Sequence, residues 1–180
     1  WAQNRNSGTT SLLFGYSLGK AQRLLKNINH EIGPVYAHKT ISDLNNAMAN
    51  DFDLPEVPLL DITADKSLLK GSLIIAPPGV QNAAWLKKIG PLTTASASGW
   101  MTFRGARRRR ALDKGFVLSD HADWEDLLTA VQETGCERVI ATHGYTEIFS
   151  RYLREEMGLD ASTEDTAYEA ETIDTIATNP

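Results

Sequence analysis

Phe116-Val117-Leu118-Ser119-Asp120-His121-Ala122-Asp123-Trp124 decides how this chain is read. Three apolar residues break into a polar cluster around His121 and then run into a helical pattern, which is how a strand delivers an imidazole to the rim of a sheet. Ile140-Ala141-Thr142-His143-Gly144 repeats the arrangement, with its histidine 22 residues later. If the two apolar runs are adjacent parallel strands, His121 and His143 arrive at the same sheet edge.

Working upstream, the pattern is one of strands alternating with helices. Residues 11–17 and 72–76 are apolar runs bounded by turn residues, and 35–37 and 93–101 are weaker strand candidates. Between them, Leu24, Leu25 and Ile28 recur with helical spacing, as do Ile41, Leu44, Ala47 and Met48, and a further helix is expected over 81–89. Residues 50–70, with Pro55 and Pro58, form an irregular connection containing a short strand at 59–62. Downstream, helices over 122–134 and 145–157 flank a strand at 138–142, the second with Ile148, Phe149, Tyr152 and Leu153 facing inward. The alternation predicts an α/β fold, with a mostly parallel sheet flanked by helices.

A chain of 180 residues, 42% of them hydrophobic, is long enough for one sizeable core or two small ones and reads as soluble and globular. No apolar run approaches the roughly 20 residues that span a bilayer, and Trp1-Ala2-Gln3-Asn4-Arg5-Asn6 is no signal peptide. The expectation is a cytoplasmic protein with no membrane partner. A single cysteine, Cys136, excludes an internal disulfide framework and any multi-cysteine zinc site.

The net charge of -5 conceals an asymmetry. From position 155 onward there are eight acidic residues and no Lys or Arg, so residues 1–154 hold 18 basic against 15 acidic residues, or +3. Within 83–115, eight basic residues stand against Asp113 alone, a local +7. Phe103-Arg104-Gly105-Ala106-Arg107-Arg108-Arg109-Arg110 is the centre of that stretch. Consecutive arginines repel one another, yet each can neutralise a phosphate and release counterions, and Trp100 and Phe103 are placed to stack on a base. A solvated face is the plainer reading of the same run.

Other candidates each carry two readings. His121 among Ser119, Asp120 and Asp123 is either a proton-transfer group whose tautomer a carboxylate fixes, or a cap of the following helix. His143 before Gly144 is either a metal ligand or a packing residue, and two histidines alone do not hold a catalytic zinc. Ser17-Leu18-Gly19-Lys20, at a strand-to-helix turn, offers N–H groups and a lysine to a phosphate, or merely lets Gly19 pack closely. His30 and His38 read as surface or packing residues.

Taken together, Tyr16-Ser17-Leu18-Gly19-Lys20-Ala21-Gln22-Arg23, Ala76-Pro77-Pro78, Ser98-Gly99-Trp100-Met101, the Arg104 to Arg110 run, Leu118-Ser119-Asp120-His121-Ala122-Asp123-Trp124 and Thr142-His143-Gly144-Tyr145 resemble the β-CASP branch of the metallo-β-lactamase-fold nucleases. Within it, the resemblance is closest to bacterial ligase-associated DNA exonucleases of the mRNA 3′-end processing factor-like group. It spans about residues 1–160. It implies a zinc-dependent phosphodiesterase that hydrolyses DNA in repair beside a ligase and a helicase, with RNA as the other substrate of the wider family.

By the same resemblance, residues 1–114 are a β-CASP-like nucleic-acid-binding domain, 115–160 the C-terminal part of a metallo-β-lactamase-fold domain, and 161–180 an acidic, flexible tail. The resemblance gives His121, with Asp120 beside it, the catalytic acid role, and makes His143 a ligand to one of two zinc ions. It gives Ser17, Gly19, Lys20, Arg104, Arg107, Arg108, Arg109 and Arg110 to nucleic acid. The family's His-x-His-x-Asp-His cluster and further ligands do not occur in this sequence. The chain is therefore expected to be the C-terminal portion of a longer enzyme and inactive alone; the alternatives are a non-catalytic nucleic-acid-binding module and an RNA-processing nuclease.

Overall fold

The computed structural model describes residues 1–63, 65–103, 105, 108 and 110–165. The chain divides into two compact units, Trp1–His121 and Ala122–Pro180.

The first unit is built on α1 (Ala2–Ser7), β1 (Thr10–Phe14), α2 (Lys20–Asn27), β2 (Val35–Ala37), α3 (Lys39–Met48), β3 (Leu73–Ala76), β4 (Leu92–Ala97) and β5 (Lys114–Phe116). The strands form a five-stranded sheet in the order β2-β3-β1-β4-β5, and every pairing in it is parallel. The α/β architecture read from the sequence is thus the one observed.

Strand periodicity explains why the sheet is covered on both sides. Leu12 and Phe14 of β1, with Ile74 and Ala76 of β3, share one core cluster, in which Leu60, Leu69, Leu86, Ile89 and Leu112 also take part. Leu13, Leu73 and Ile75, one residue out of phase, belong to a second cluster with Ala21 and Leu25 of α2 and Ile41 of α3. Side chains alternate between faces along a strand, so continuous apolar runs mean burial on both. Burying a Leu or Ile here contributes about 1.5–3 kcal/mol each. Thr10 and Ser72, polar but buried, both donate to the Leu69 carbonyl at 2.7 Å, so neither hydroxyl is left unsatisfied.

Several expected elements differ. The helix over 81–89 is replaced by short 3-10 turns at Pro78–Val80 and Leu86–Lys88. Leu86 and Ile89 are buried three residues apart, which mimics helical spacing in a segment too short for a helix. The 59–62 strand is a single bridge from Ala37 to Leu59. β4 stops at Ala97 and passes into a 3-10 turn at Gly99–Thr102. In α3 only Ile41 is buried.

The second unit contains α4 (Trp124–Thr134), β6 (Arg138–Ala141), α5 (Thr146–Glu155) and β7 (Asp160–Thr163). β6, α5 and β7 make one crossover unit with two parallel strands. β7 falls partly on residues 161–163, which the sequence reading places in the tail. Ala161 alone of its side chains is buried, and a polar edge strand carries no apolar alternation to betray it. Residues 166–180 of the expected tail lie outside the described residues. Leu153 and Ser150 of α5 are fully buried, whereas Ile148, expected inward, is exposed. Trp124 packs edge-on against Phe149 and Tyr152, with ring centroids 5.6 and 5.0 Å apart.

The adjacency expected of the two histidine-bearing strands does not hold. β5 pairs with β4, and β6 pairs with β7, in separate sheets. The crossover through α5 gives β6 a partner of its own, so a 22-residue spacing between two strand ends does not require those strands to pair.

Candidate active site

In a parallel sheet the functional rim is the one beyond the carboxyl ends of the strands, where the chain leaves adjacent strands in opposite directions. Here that divergence lies between β1 and β4. From β1 the chain turns through α2 toward β2 on one side, and from β4 it continues to β5 on the other. Residues 15–19 follow β1, residues 98–102 follow β4, and residues 117–121 follow β5.

The turn after β1 requires its glycine. Gly19, at the N-terminus of α2, has φ +79° and ψ -67°, a backbone conformation closed to ordinary side chains. The amides of Lys20 and Ala21 donate to the carbonyls of Leu18 and Tyr16, both at 3.0 Å. The Ser17 hydroxyl shares a 3.1 Å hydrogen bond with that of Thr40, and the Ser17 carbonyl accepts from Gln22 at 2.9 Å. Two of the N–H groups expected to cradle a phosphate are therefore occupied within the loop.

Lys20 is not on the surface. Its side chain is 2% exposed, with Nζ 3.3 Å from Asp120 Oδ2 and 5.2 Å from the centre of the Tyr16 ring. Arg23, one turn further along α2, points a guanidinium nitrogen to the Ser119 carbonyl at 3.0 Å and lies 3.7 Å from Asp120 Oδ1. Lys20 and Asp120, 100 residues apart in sequence, thus join the turn after β1 to the loop after β5 by ions. Arg23 closes the stretch quoted from Tyr16 onward but is given no role there; its position three residues after Lys20, on the same face of a helix, is the signal that could have assigned it one.

The loop after β5 is built on Ser119. His121 N–H donates to Ser119 Oγ at 3.2 Å, and a Cβ placed on Gly99 would stand 3.3 Å from the Ser119 Cβ. Gly99 thus lets the two rim loops approach each other. Leu118 N–H reaches the Ser98 carbonyl at 3.5 Å, and Ser98 N–H donates to Phe116 O at 3.0 Å. The His121 imidazole is exposed and makes no hydrogen bond among the described residues. Capping α4 falls instead to Asp123, whose carboxylate accepts from Asp126 N–H at 3.0 Å. Beyond β4, Trp100 and Phe103 are exposed with ring centroids 6.1 Å apart.

Among the arginines, Arg108 is exposed, while the carbonyl of Arg110 accepts from Gln81 Nε2. Arg104, Arg107 and Arg109 lie outside the described residues. In the second unit, His143 is exposed beyond β6, and Gly144 follows it with φ +83°. No group of three or more His, Cys, Asp or Glu gathers among the described residues, so they do not by themselves make a zinc site. Nor is any described helix long and apolar enough to cross a membrane.

No protein-family model matches the chain. A probable DNA ligase of Opitutus terrae is 36% identical to it over 150 residues, which is 83% of this chain. The chain spans 14% of the length of that relative. What it is similar to, then, is one segment of a much longer protein named as a probable DNA ligase.

Proposed function

We propose that this chain holds the nucleic acid and supplies the proton donor in a metal-dependent exonuclease that hydrolyses DNA in repair, the β-CASP metallo-β-lactamase-fold reading. The observation that carries it is the loop Ser119-Asp120-His121. It stands at the carboxyl rim of a parallel sheet and presents an exposed imidazole, while Asp123 relieves that histidine of any helix-capping duty. In hydrolysis, a water oxygen joins phosphorus as the bond to the leaving oxygen breaks. The His121 imidazolium gives its proton to that leaving oxygen and so avoids an alkoxide product.

His143 would contribute one zinc ligand, the others coming from elsewhere in the whole protein. Arg104 and Arg107 to Arg110 would engage phosphates, and Trp100 with Phe103 would take a base. The relative named as a probable DNA ligase favours DNA over RNA and favours action beside a ligase; the helicase is an inference from the resemblance, as is a cytoplasmic location.

The test is hydrolysis of end-labelled DNA by the whole protein, with zinc content measured in parallel. His121→Ala is expected to lower the rate about 10²- to 10⁴-fold with zinc retained, the range typical of a lost general acid. His143→Ala is expected to lose metal. DNA binding without hydrolysis in the wild type would replace this reading with that of a non-catalytic binding module, and two variants indistinguishable from wild type would remove both histidines from the site.

A further inference from the structure

We propose that Lys20 is a positioning residue for His121: with Arg23 it clamps the Asp120 carboxylate and thereby fixes the rim loop that presents the imidazole. The inference rests on His121 being the proton donor. Lys20 sits where the sequence leads one to expect a phosphate-binding lysine, but its surroundings assign it elsewhere. An ammonium 2% exposed is stable only when a counter-ion replaces its lost hydration. Asp120, 3.3 Å away, is that counter-ion, and the Tyr16 ring covers the ammonium at 5.2 Å. Reaching a phosphate in solvent would require Lys20 to abandon both.

The clamp adds directional ties to a loop otherwise held by packing of Leu118 on the core and of Ser119 against Gly99. Beyond β5 its backbone tie to the neighbouring rim loop is the 3.5 Å bond from Leu118 to Ser98, long for an N–H···O contact. Past that point, the turn through Ser119 Oγ is internal to the loop. The polar ties of residues 119–121 to the helix layer come from the face of α2: the ion pair from Lys20, the 3.0 Å hydrogen bond from Arg23 to Ser119 O, and the second charge of Arg23 at 3.7 Å. Lys20 and Arg23 lie three residues apart on one helical face, so both reach the same carboxylate without distorting α2. Two cations on one anion leave a net charge of +1 beside the imidazole, an environment suited to a polyanion arriving at the rim. A catalytic group must be held within about half an ångström to act efficiently, so a tie that orients the loop is expected to appear in turnover and not in binding.

The experiment compares Lys20→Met, Lys20→Arg, Asp120→Asn and the Lys20→Met/Asp120→Asn double variant in the whole protein. Rates and KM are measured on end-labelled DNA, and the imidazole resonances of the four histidines of this chain are followed by NMR. Lys20→Met and Asp120→Asn should each lower kcat at least tenfold with KM within about twofold of wild type. The double variant should be no worse than the worse single change, and Lys20→Arg should recover part of the loss. The His121 resonances should shift or broaden in Lys20→Met and return in Lys20→Arg, while those of His30 stay in place. A raised KM with unchanged kcat in Lys20→Met, and no effect in Asp120→Asn, would make Lys20 a phosphate contact and overturn the proposal. Multiplying losses in the double variant would overturn it too. If the wild type does not hydrolyse DNA, the nuclease reading fails separately, and the NMR comparison still decides whether Lys20 sets the His121 ring.

Discussion

At the end of β2, the Nδ1 of His38 accepts the Thr40 N–H at 3.3 Å and lies 3.0 Å from the Thr40 hydroxyl, so it caps α3. Since Nδ1 receives the amide hydrogen, it acts as an acceptor, and the capping ring is the neutral one. Burial holds the His38 pKa below the usual histidine value. The unfolded chain therefore binds more protons than the folded one in the range between the two values. The contribution is complete above the unfolded pKa of about 6.5 and is lost as pH falls through the lowered folded value. Urea unfolding at pH 7.5 and at pH 5 should show a drop in stability on acidification that is smaller in His38→Asn, where a non-titrating cap replaces the ring; an equal drop in both would dissociate His38 from the effect. The sequence passes His38 off as a surface or packing residue, because a histidine cap has no signature distinct from any polar residue before a helix. Lys20 stands out in the sequence at the right turn but with the wrong surroundings: what buries it is a carboxylate 100 positions away, which no local pattern announces.

Elements are legible where burial is two-sided. Leu12 to Phe14 and Leu73 to Ala76 are apolar without interruption, and the sequence locates both strands to within a few residues. Where an element is held by its ends or by polar edges, as β7 and the turns around Pro78 and Leu86 are, periodicity has nothing to report. α4 illustrates the boundary case. Its start is set by the Asp123 cap with Glu125 and Asp126 in the first turn, and its end by Gly135 at φ +61°, all of them readable signals. The helix buries no residue outright, so its stability depends more than usual on that cap. Replacing Asp123 by Ala should destabilise the second unit by about 1 kcal/mol, and Asp123→Asn by much less. Thermal unfolding followed by circular dichroism would measure both, and an Ala variant as stable as the Asn one would show the cap to be idle. The same result bears on the site, for it is Asp123, two residues after His121, that leaves the imidazole unencumbered.

On the scale of the molecule, charge is segregated. The whole chain is at -5, yet residues 83–115 carry +7, and Trp100 and Phe103 stand exposed within that stretch. Binding to single-stranded DNA should weaken steeply with salt, with a slope near -0.7 for each phosphate neutralised. Changing Arg107 to Arg110 together to Ala should flatten that slope by roughly 3 if each arginine meets one phosphate. An unchanged slope, measured by fluorescence anisotropy between low and moderate salt, would return the run to a solvated surface. The sequence shows this segregation directly, since composition needs no fold. It does not show which strands pair: β7, nearly devoid of apolar pattern, is the partner of β6.

The contact between Lys20 and Asp120 also orders events in time. Its two ends enter the chain 100 residues apart, and closing a loop of that length carries an entropic cost of about 4 kcal/mol that local contacts do not repay. β1 and β3 bury their side chains in both core clusters, whereas β5 is a three-residue edge strand. The central strands and α2 can therefore assemble without Asp120, and docking of the last strand is expected to bring the carboxylate that pairs with Lys20. A nascent polypeptide that stops short of Asp120 lacks the counter-ion of Lys20, and the rim is complete only when the sheet is finished.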